Sequence, residues 1–372
     1  MESNLFGPYA VRREEVAVSG FSHGSFTLAE VEHAAPGAIA RLACDPGLSS
    51  IDLRRAVFLD TETTGLSGGA GVYVYMVGLG WFEGERYVSW QGFLRSPGEE
   101  AAMLQAVAEI VGRADHLVSF FGKSFDRHRL EDKMRIVGVE PPFDGQPHLD
   151  LYHPMRRLTR GALMDGKLQT MERELLGFHR ARDLPGRLAP AAWFDYLAGR
   201  PHLLEGVFEH NREDVLTLTV LAAHLGRAEV ELRADGEALP GPVAQRARAL
   251  METSSSREEK LEWAERALRR GIDGEDRRRI LVVRAHLLRR LGRVDAARLA
   301  YREALEEAAD DPAAVELFLG ASMLLERPIG DRGNALAMAQ RAARLAADIG
   351  RPRSVLAKIE RRVLRLSSAT TG

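Results

Sequence analysis

The alternation of apolar and polar positions changes character twice along the chain, near residue 56 and near residue 240. Val57, Phe58 and Leu59 form an apolar run that reads as the end of a buried strand, and it passes directly into Asp60-Thr61-Glu62-Thr63-Thr64-Gly65. Ser67-Gly68-Gly69-Ala70-Gly71 then reads as a flexible connector. Residues 72–81 and 86–94 are strand-like stretches flanking Glu83-Gly84, a hairpin turn signal. Pro97 opens a helix to about Arg113, with Ala101, Leu104, Ala108 and Val111 on one face. Residues 116–121 predict another strand, residues 124–137 another helix, and residues 203–225 a long amphipathic helix. Three strands, a helix, a strand and a helix describe a mixed sheet with flanking helices, an α/β arrangement. Before residue 54, short apolar pieces are broken by Gly, Ser, Pro36 and Pro46. They predict an N-terminal extension that packs on the first domain and carries no motif.

Beyond Asp235-Gly236-Glu237 and Pro240-Gly241-Pro242, the chain turns to Ala, Leu, Arg and Glu with helical periodicity. Residues 263–268, 300–305 and 338–343 are similar to one another at spacings of 37 and 38. This resembles tetratricopeptide-type helical hairpins, whose period is about 34, and implies an all-α, repeat-like domain. Such a domain recruits a protein partner, although its arginines also suit nucleic acid and a plain helical bundle remains the alternative. The expected organisation is 1–53 extension, 54–227 α/β domain, 228–242 linker and 243–372 helical domain.

Charge modifies this picture modestly. The 372 residues carry a formal net charge of −2, so no global basic field advertises nucleic acid. The balance is uneven: residues 228–372 hold 27 Lys and Arg against 23 Asp and Glu, leaving 24 against 30 before them. The single cysteine, Cys44, excludes an intrachain disulfide and a cysteine-rich metal site and suits a reducing cytoplasm. No apolar run of about 18 residues predicts a membrane span. The first residues lack a signal-peptide pattern. The expected location is cytoplasmic.

The candidate chemistry begins at the strand end. Side chains at i and i+2 of a strand share a face, so Asp60 and Glu62 project together. Two such carboxylates repel unless a cation or proton sits between them, the alternative being a polar strand end running into a turn. A second acid, Asp126, stands in the first turn of a helix after Ser119-Phe120-Phe121-Gly122-Lys123-Ser124-Phe125. Gly122 permits a sharp strand exit and Ser124 is placed to cap the helix. Taken alone, Asp126 fits a role in complementing the helix N-terminus. A third site, His210-Asn211-Arg212-Glu213-Asp214, places His210 and Asp214 one helical turn apart on one face, just before an apolar run.

Asp-x-Glu after a first strand, Phe-Asp opening a helix after a fourth, and His-Asn-x-x-Asp on a late helix together resemble the DEDD exonuclease superfamily. The resemblance is nearest to its ribonuclease H-like group of the YprB type. It extends through Asp150-Leu151-Tyr152-His153-Pro154, Leu175-Leu176-Gly177 and Arg182-Asp183-Leu184-Pro185-Gly186, over roughly residues 54–226. It implies a ribonuclease H-like fold and hydrolysis of DNA or RNA from the 3′ end with two Mg²⁺ or Mn²⁺ ions. By position, Asp60, Glu62, Asp126 and Asp214 would ligate the metals, oxygen donors suited to hard cations. His210 would orient the attacking water or accept its proton. Thr61, Phe121, Lys123 and Asn211 would face substrate.

Two positions depart from the family pattern. The helper is a His where a Tyr stands four residues before the last Asp, and Phe121 replaces a frequent Asn. Phe121 either stacks on a base or is buried in the sheet. Lys123, Arg127, Arg129, Lys133 and Arg135, with Arg156, Arg157 and Arg160, are either phosphate guides or a solvated helix face. Asp150 and Asp183 suit caps or ion pairs better than metal ligation. The rival function is a non-catalytic nucleic-acid-binding adaptor on the same fold.

Overall fold

A computed structural model describes residues 1–65, 71–181, 184–234 and 239–368. The chain forms two compact units, residues 1–242 and 243–372. The connector read at 67–71 and Asp183 fall largely or wholly outside the described residues.

The first unit is built on one seven-stranded sheet. Its strands are β1 (Glu2–Asn4), β2 (Gly7–Ala17), β5 (Ala56–Thr63), β6 (Val74–Glu83), β7 (Arg86–Phe93), β8 (His116–Ser119) and β9 (His148–Asp150); β3 (Ser22–His23) and β4 (Phe26–Thr27) pair separately. The spatial order is β1-β2-β7-β6-β5-β8-β9. The pairs β5–β6, β6–β7 and β7–β2 are antiparallel, whereas β5–β8 and β8–β9 are parallel. β5 is therefore an interior strand, and Ala56, Val57, Phe58 and Leu59 are all buried. Polar side chains enter only where the strand leaves the core.

Helices α1 (Pro36–Ala43), α2 (Glu100–Val111), α3 (Asp126–Val137), α4 (Tyr152–Thr159), α5 (Leu168–Met171), α6 (Ala189–Leu197) and α7 (Leu204–Arg233) flank this sheet. Val57, Leu59, Leu79, Trp90 and Leu117 pack with Met103 and Val107 of α2 and Leu130 and Met134 of α3 in one apolar cluster. α7 lies against β5, β6 and β7. Two glycines on β6 make that approach possible. A Cβ on Gly80 would come within 2.6 Å of Val215 Cγ1, and one on Gly78 within 2.2 Å of Asn211 Oδ1.

The N-terminal residues are not an extension. β2 pairs with β7 from Ala10↔Phe93 to Ala17↔Arg86 and completes that side of the sheet. Arg12 forks onto Glu205 of α7 at 2.9 and 2.8 Å and lies over the Phe208 ring. The alternation along β2 is weak because most of it is partly exposed, so its sequence reads as polar coil. The expected boundary at 227 also moves. α7 continues to Arg233 with Ala228 and Leu232 buried, Leu239 is buried, and Pro240 O lies 3.0 Å from His224 Nε2. Residues 228–234 and 239–242 thus belong to the first unit. Smaller differences follow the same logic: β8 ends at Ser119, and α3 starts at Asp126 with Phe125, not Ser124, before it.

The second unit is all-helical among its described residues: α8 (Val243–Thr253), α9 (Arg257–Arg269), α10 (Gly274–Arg290), α11 (Val294–Glu306), α12 (Pro312–Leu324), α13 (Arg332–Asp348) and α14 (Arg353–Ser368). Consecutive helices pack on one another, and α10 also meets α12. The three similar segments fall on every second helix, α9, α11 and α13, and bury alanines there: Ala264 and Ala267, Ala300 and Ala304, Ala339 and Ala342. Among the described residues, no helix is long and apolar enough to cross a membrane.

A chain ended at Pro242 should fold cooperatively, because the first unit closes there. One ended at Arg227 loses two buried leucines, Leu232 and Leu239, which costs on the order of 3 kcal/mol or more. Denaturant titrations of the two chains measure the difference; equal midpoints would show that the segment after Arg227 contributes nothing.

Candidate active site

The acidic site forms where β5 leaves the core. Phe58, Asp60 and Glu62 share one face of the strand by its two-residue period, and that face meets α7: Asn211 Nδ2 donates to Asp60 Oδ2 at 2.8 Å. On the other face, Thr61 Oγ1 donates to Asp126 Oδ1. Asp126 is the first residue of α3 and is buried. Asp214 and His210 come from one face of α7, with His210 Nε2 3.4 Å from Asp214 Oδ2. Glu62, His210 and Asp214 each bring a donor atom within 4.8 Å of the other two. The structure therefore brings donor atoms of Glu62, His210 and Asp214 together, with Asp60 on the same strand end and Asp126 at the start of α3 near enough for the charges to act on one another.

The electrostatics record this crowding. Burial, then Asp214, Asp126 and Glu62, push the Asp60 carboxyl well above the usual carboxylate range, against the hydrogen bond from Asn211. Burial, with Asp214 and Asp126 next, pushes Glu62 up to about 8, while Arg180 opposes the shift. Burial likewise raises Asp126 to about 6 despite the hydrogen bond from Thr61. Each of these groups would be stabilised by added positive charge. The donors, carboxylate oxygens beside one imidazole, fit a hard divalent cation such as Mg²⁺ or Mn²⁺.

Other expected site residues are placed differently. Asn211 is fully buried and cannot reach substrate. Gln91 Nε2 donates to its Oδ1 at 2.9 Å, which turns its amide nitrogen toward Asp60. Asn211 therefore orients a carboxylate. Thr61 is partly buried, and its hydroxyl is committed to Asp126. Phe121 is not buried in the sheet: it is 46% exposed, has a left-handed backbone (φ 63), and sets its ring edge-on to Tyr152 at 4.9 Å. Lys123 follows in the same turn, its Nζ 3.5 Å from Asp45 Oδ2.

Asp150 holds that turn. It accepts from the backbone N–H of Phe121 (2.8 Å), Tyr152 (3.0 Å) and Lys123 (3.1 Å), and so ties that turn to the start of α4. Several cations read as phosphate guides are engaged within the fold. Lys133 is buried against Glu100 at 3.2 Å, Arg127 is held by Glu131 at 2.6 Å, and Arg157 donates to the Leu42 carbonyl.

Sequence reasoning missed Arg180 and Glu172. Glu172 opens a single π-helical turn, Glu172–Leu176, after α5. Arg180 follows it in a loop and grips Glu172 through Nε and Nη2 at 2.9 and 2.6 Å, while also reaching Asp214 Oδ1 and His210 Nδ1. Arg180 lies between the two stretches that carry the family resemblance, and no periodicity marks it. The acid site also differs from a cavity of about 500 Å³ in the first unit. That cavity lies at the opposite end of β5, lined by Arg54, Arg55, Trp81 and Arg113 among others, and shares no residue with the acids.

Residues 57–226 match a protein family described as the RNase_H superfamily. A protein of Bacillus subtilis (strain 168) described as "Uncharacterized protein YprB" is 33% identical over 227 residues, covering 59% of this chain and 54% of that protein. The chain thus spans about half the length of this curated relative. The matches and the mixed sheet with its flanking helices give residues 57–226 a ribonuclease H-like fold.

The raised Glu62 pKa has a measurable consequence. A carboxyl that holds its proton more tightly in the folded state loses stability as pH rises from the ordinary carboxylate range through its folded value of about 8. His23 and His148, both lowered to about 3 by burial, act in the opposite sense, but their contribution is complete above their ordinary value of 6.5. In chelator, Glu62→Gln should therefore gain stability relative to wild type as pH rises from 7 to 9. Melting curves across that range test this, and a difference independent of pH would contradict the assignment.

Proposed function

We propose that this ribonuclease H-like unit is a metal-dependent 3′→5′ exonuclease acting on DNA or RNA. Asp60, Glu62, Asp126 and Asp214 would hold two divalent cations, Mg²⁺ or Mn²⁺. The observation that carries this reading is the crowding of acids where β5 leaves the core: oxygens of Glu62 and Asp214 lie within 4.8 Å of each other, and Asp60, Glu62 and Asp126 all hold their protons more tightly than ordinary carboxyls. A protein that only binds nucleic acid has no use for such mutual repulsion, since its partner is itself an anion.

When bound, the cations supply Lewis-acid stabilisation of charge on the phosphodiester oxygens and a lowered pKa for the attacking water. The protein's own groups arrange the site around that chemistry. Asn211 aims Asp60, Thr61 aims Asp126, and Arg180 aims Asp214. His210 orients the attacking water or accepts its proton. The exposed Phe121 ring offers a base-stacking surface in the turn before α3, where stacking is worth about 1–3 kcal/mol per base. Lys123, in the same turn, is suited to a phosphate. The helical second unit would recruit a protein partner or position the nucleic acid.

The test uses 3′- and 5′-labelled DNA and RNA, single- and double-stranded, with Mg²⁺ or Mn²⁺. Wild type should release mononucleotides from the 3′ end and be inert in chelator, and Asp126→Asn should reduce release to background. Undiminished release by Asp126→Asn, or no release by wild type from any of these substrates, overturns the proposal.

A further inference from the structure

Arg180, which belongs to none of the acid motifs, occupies the middle of a buried polar chain. Its side chain and that of Glu172 are 4% and 2% exposed. Nε and Nη2 hold the two Glu172 oxygens, Nη2 also reaches Asp214 Oδ1, and Nη1 lies 2.9 Å from His210 Nδ1. Behind Glu172, Thr217 Oγ1 donates to Glu172 Oε1, and His23 Nε2 lies 2.8 Å from Thr217 Oγ1.

The direction of each bond follows from what the groups are able to do. A guanidinium has five N–H donors and no acceptor, so His210 Nδ1 must offer its lone pair. The neutral ring then carries its proton on Nε2, the atom 3.4 Å from Asp214 Oδ2. The chain behind it is consistent. The Thr217 hydroxyl donates to Glu172 Oε1, which leaves its oxygen to accept from His23 Nε2–H. A lysine would not substitute, because a single ammonium lacks the planar fork that serves Glu172, Asp214 and His210 together.

We propose that Arg180 is a positioning residue that fixes His210 as the Nε2–H tautomer, so that His210 serves the site as a hydrogen-bond donor and not as its base. A base at Nε2 would need its lone pair there and a proton on Nδ1, pointing at the donors of Arg180. The same requirement applies to metal ligation through Nε2, which leaves the cations to the carboxylates. Of the two roles for His210 in the nuclease reading, this selects orientation of the water or of a phosphate oxygen. That selection rests on the nuclease reading; the tautomer does not.

The experiment is a ¹⁵N imidazole spectrum of the full-length, metal-free protein, with the His210 signals identified by their loss in His210→Gln. Wild type should show a protonated Nε2 and an acceptor-type Nδ1. A ring protonated on Nδ1, alone or together with Nε2, overturns the proposal, and this spectrum needs no variant at position 180. Arg180→Lys should give a mixture of tautomers, whereas an unchanged Nε2–H tautomer would remove Arg180 from the role. On the cleavage substrates, His210→Gln, which offers an N–H but no base, should exceed His210→Ala by about 10-fold; equal rates contradict a donor role. Inactivity of wild type would overturn the nuclease reading and leave the spectrum to decide the tautomer.

Discussion

Carboxylates crowded into a half-buried site repel one another, and much of the first unit is arranged around that repulsion. At about 4 Å and an effective dielectric near 20, one pair costs on the order of 4 kcal/mol before a proton, a solvent molecule or a cation relieves it. The protein supplies partial relief through fixed donors: Asn211 to Asp60, Thr61 to Asp126 and Arg180 to Asp214. Relief remains incomplete, because Asp60, Glu62 and Asp126 all hold their protons more tightly than ordinary carboxyls. The remaining deficit of positive charge is what a divalent cation would fill.

The fold makes such crowding possible by supplying the acids from separate elements that cannot move apart. β5 is flanked by β6 and β8, so Asp60 and Glu62 sit on a strand held from both sides. α7 comes close enough to place Asp214 because β6 presents glycines at 78 and 80 where it crosses. Arg180 is itself anchored by Glu172 and, through Thr217, by His23 in the N-terminal ribbon. Residues 20–27 therefore belong to the support of the site, although they are remote from it in sequence.

The interior strand with its sudden acids, the hairpin after it and the late amphipathic helix were legible in the sequence because each is a local pattern. Asp60 and Glu62 interrupt an apolar run, and Asp214 precedes one. The mixed sheet followed from the order of those segments. What stayed hidden depends on tertiary contact. β2 is a sheet strand only because β7 offers it a partner, and its half-exposed face hides the alternation. Asn211 reads as a substrate-facing amide until Gln91 and Asp60 are seen on either side of it. Arg180 is one arginine among many in the sequence. Only the fold shows that it is buried between Glu172, His210 and Asp214.

The central claim is that the acids are arranged for metal and not for structural ion pairing. Thermal melting of wild type and Asp60→Asn, each with chelator and with Mn²⁺, tests it most directly. Removing one repelling charge should leave the metal-free variant at least as stable as wild type. Binding to the native state alone raises the wild-type melting temperature by mass action, and most of that rise should vanish in the variant. A metal-free Asp60→Asn that melts well below wild type would make Asp60 a structural partner and contradict the account.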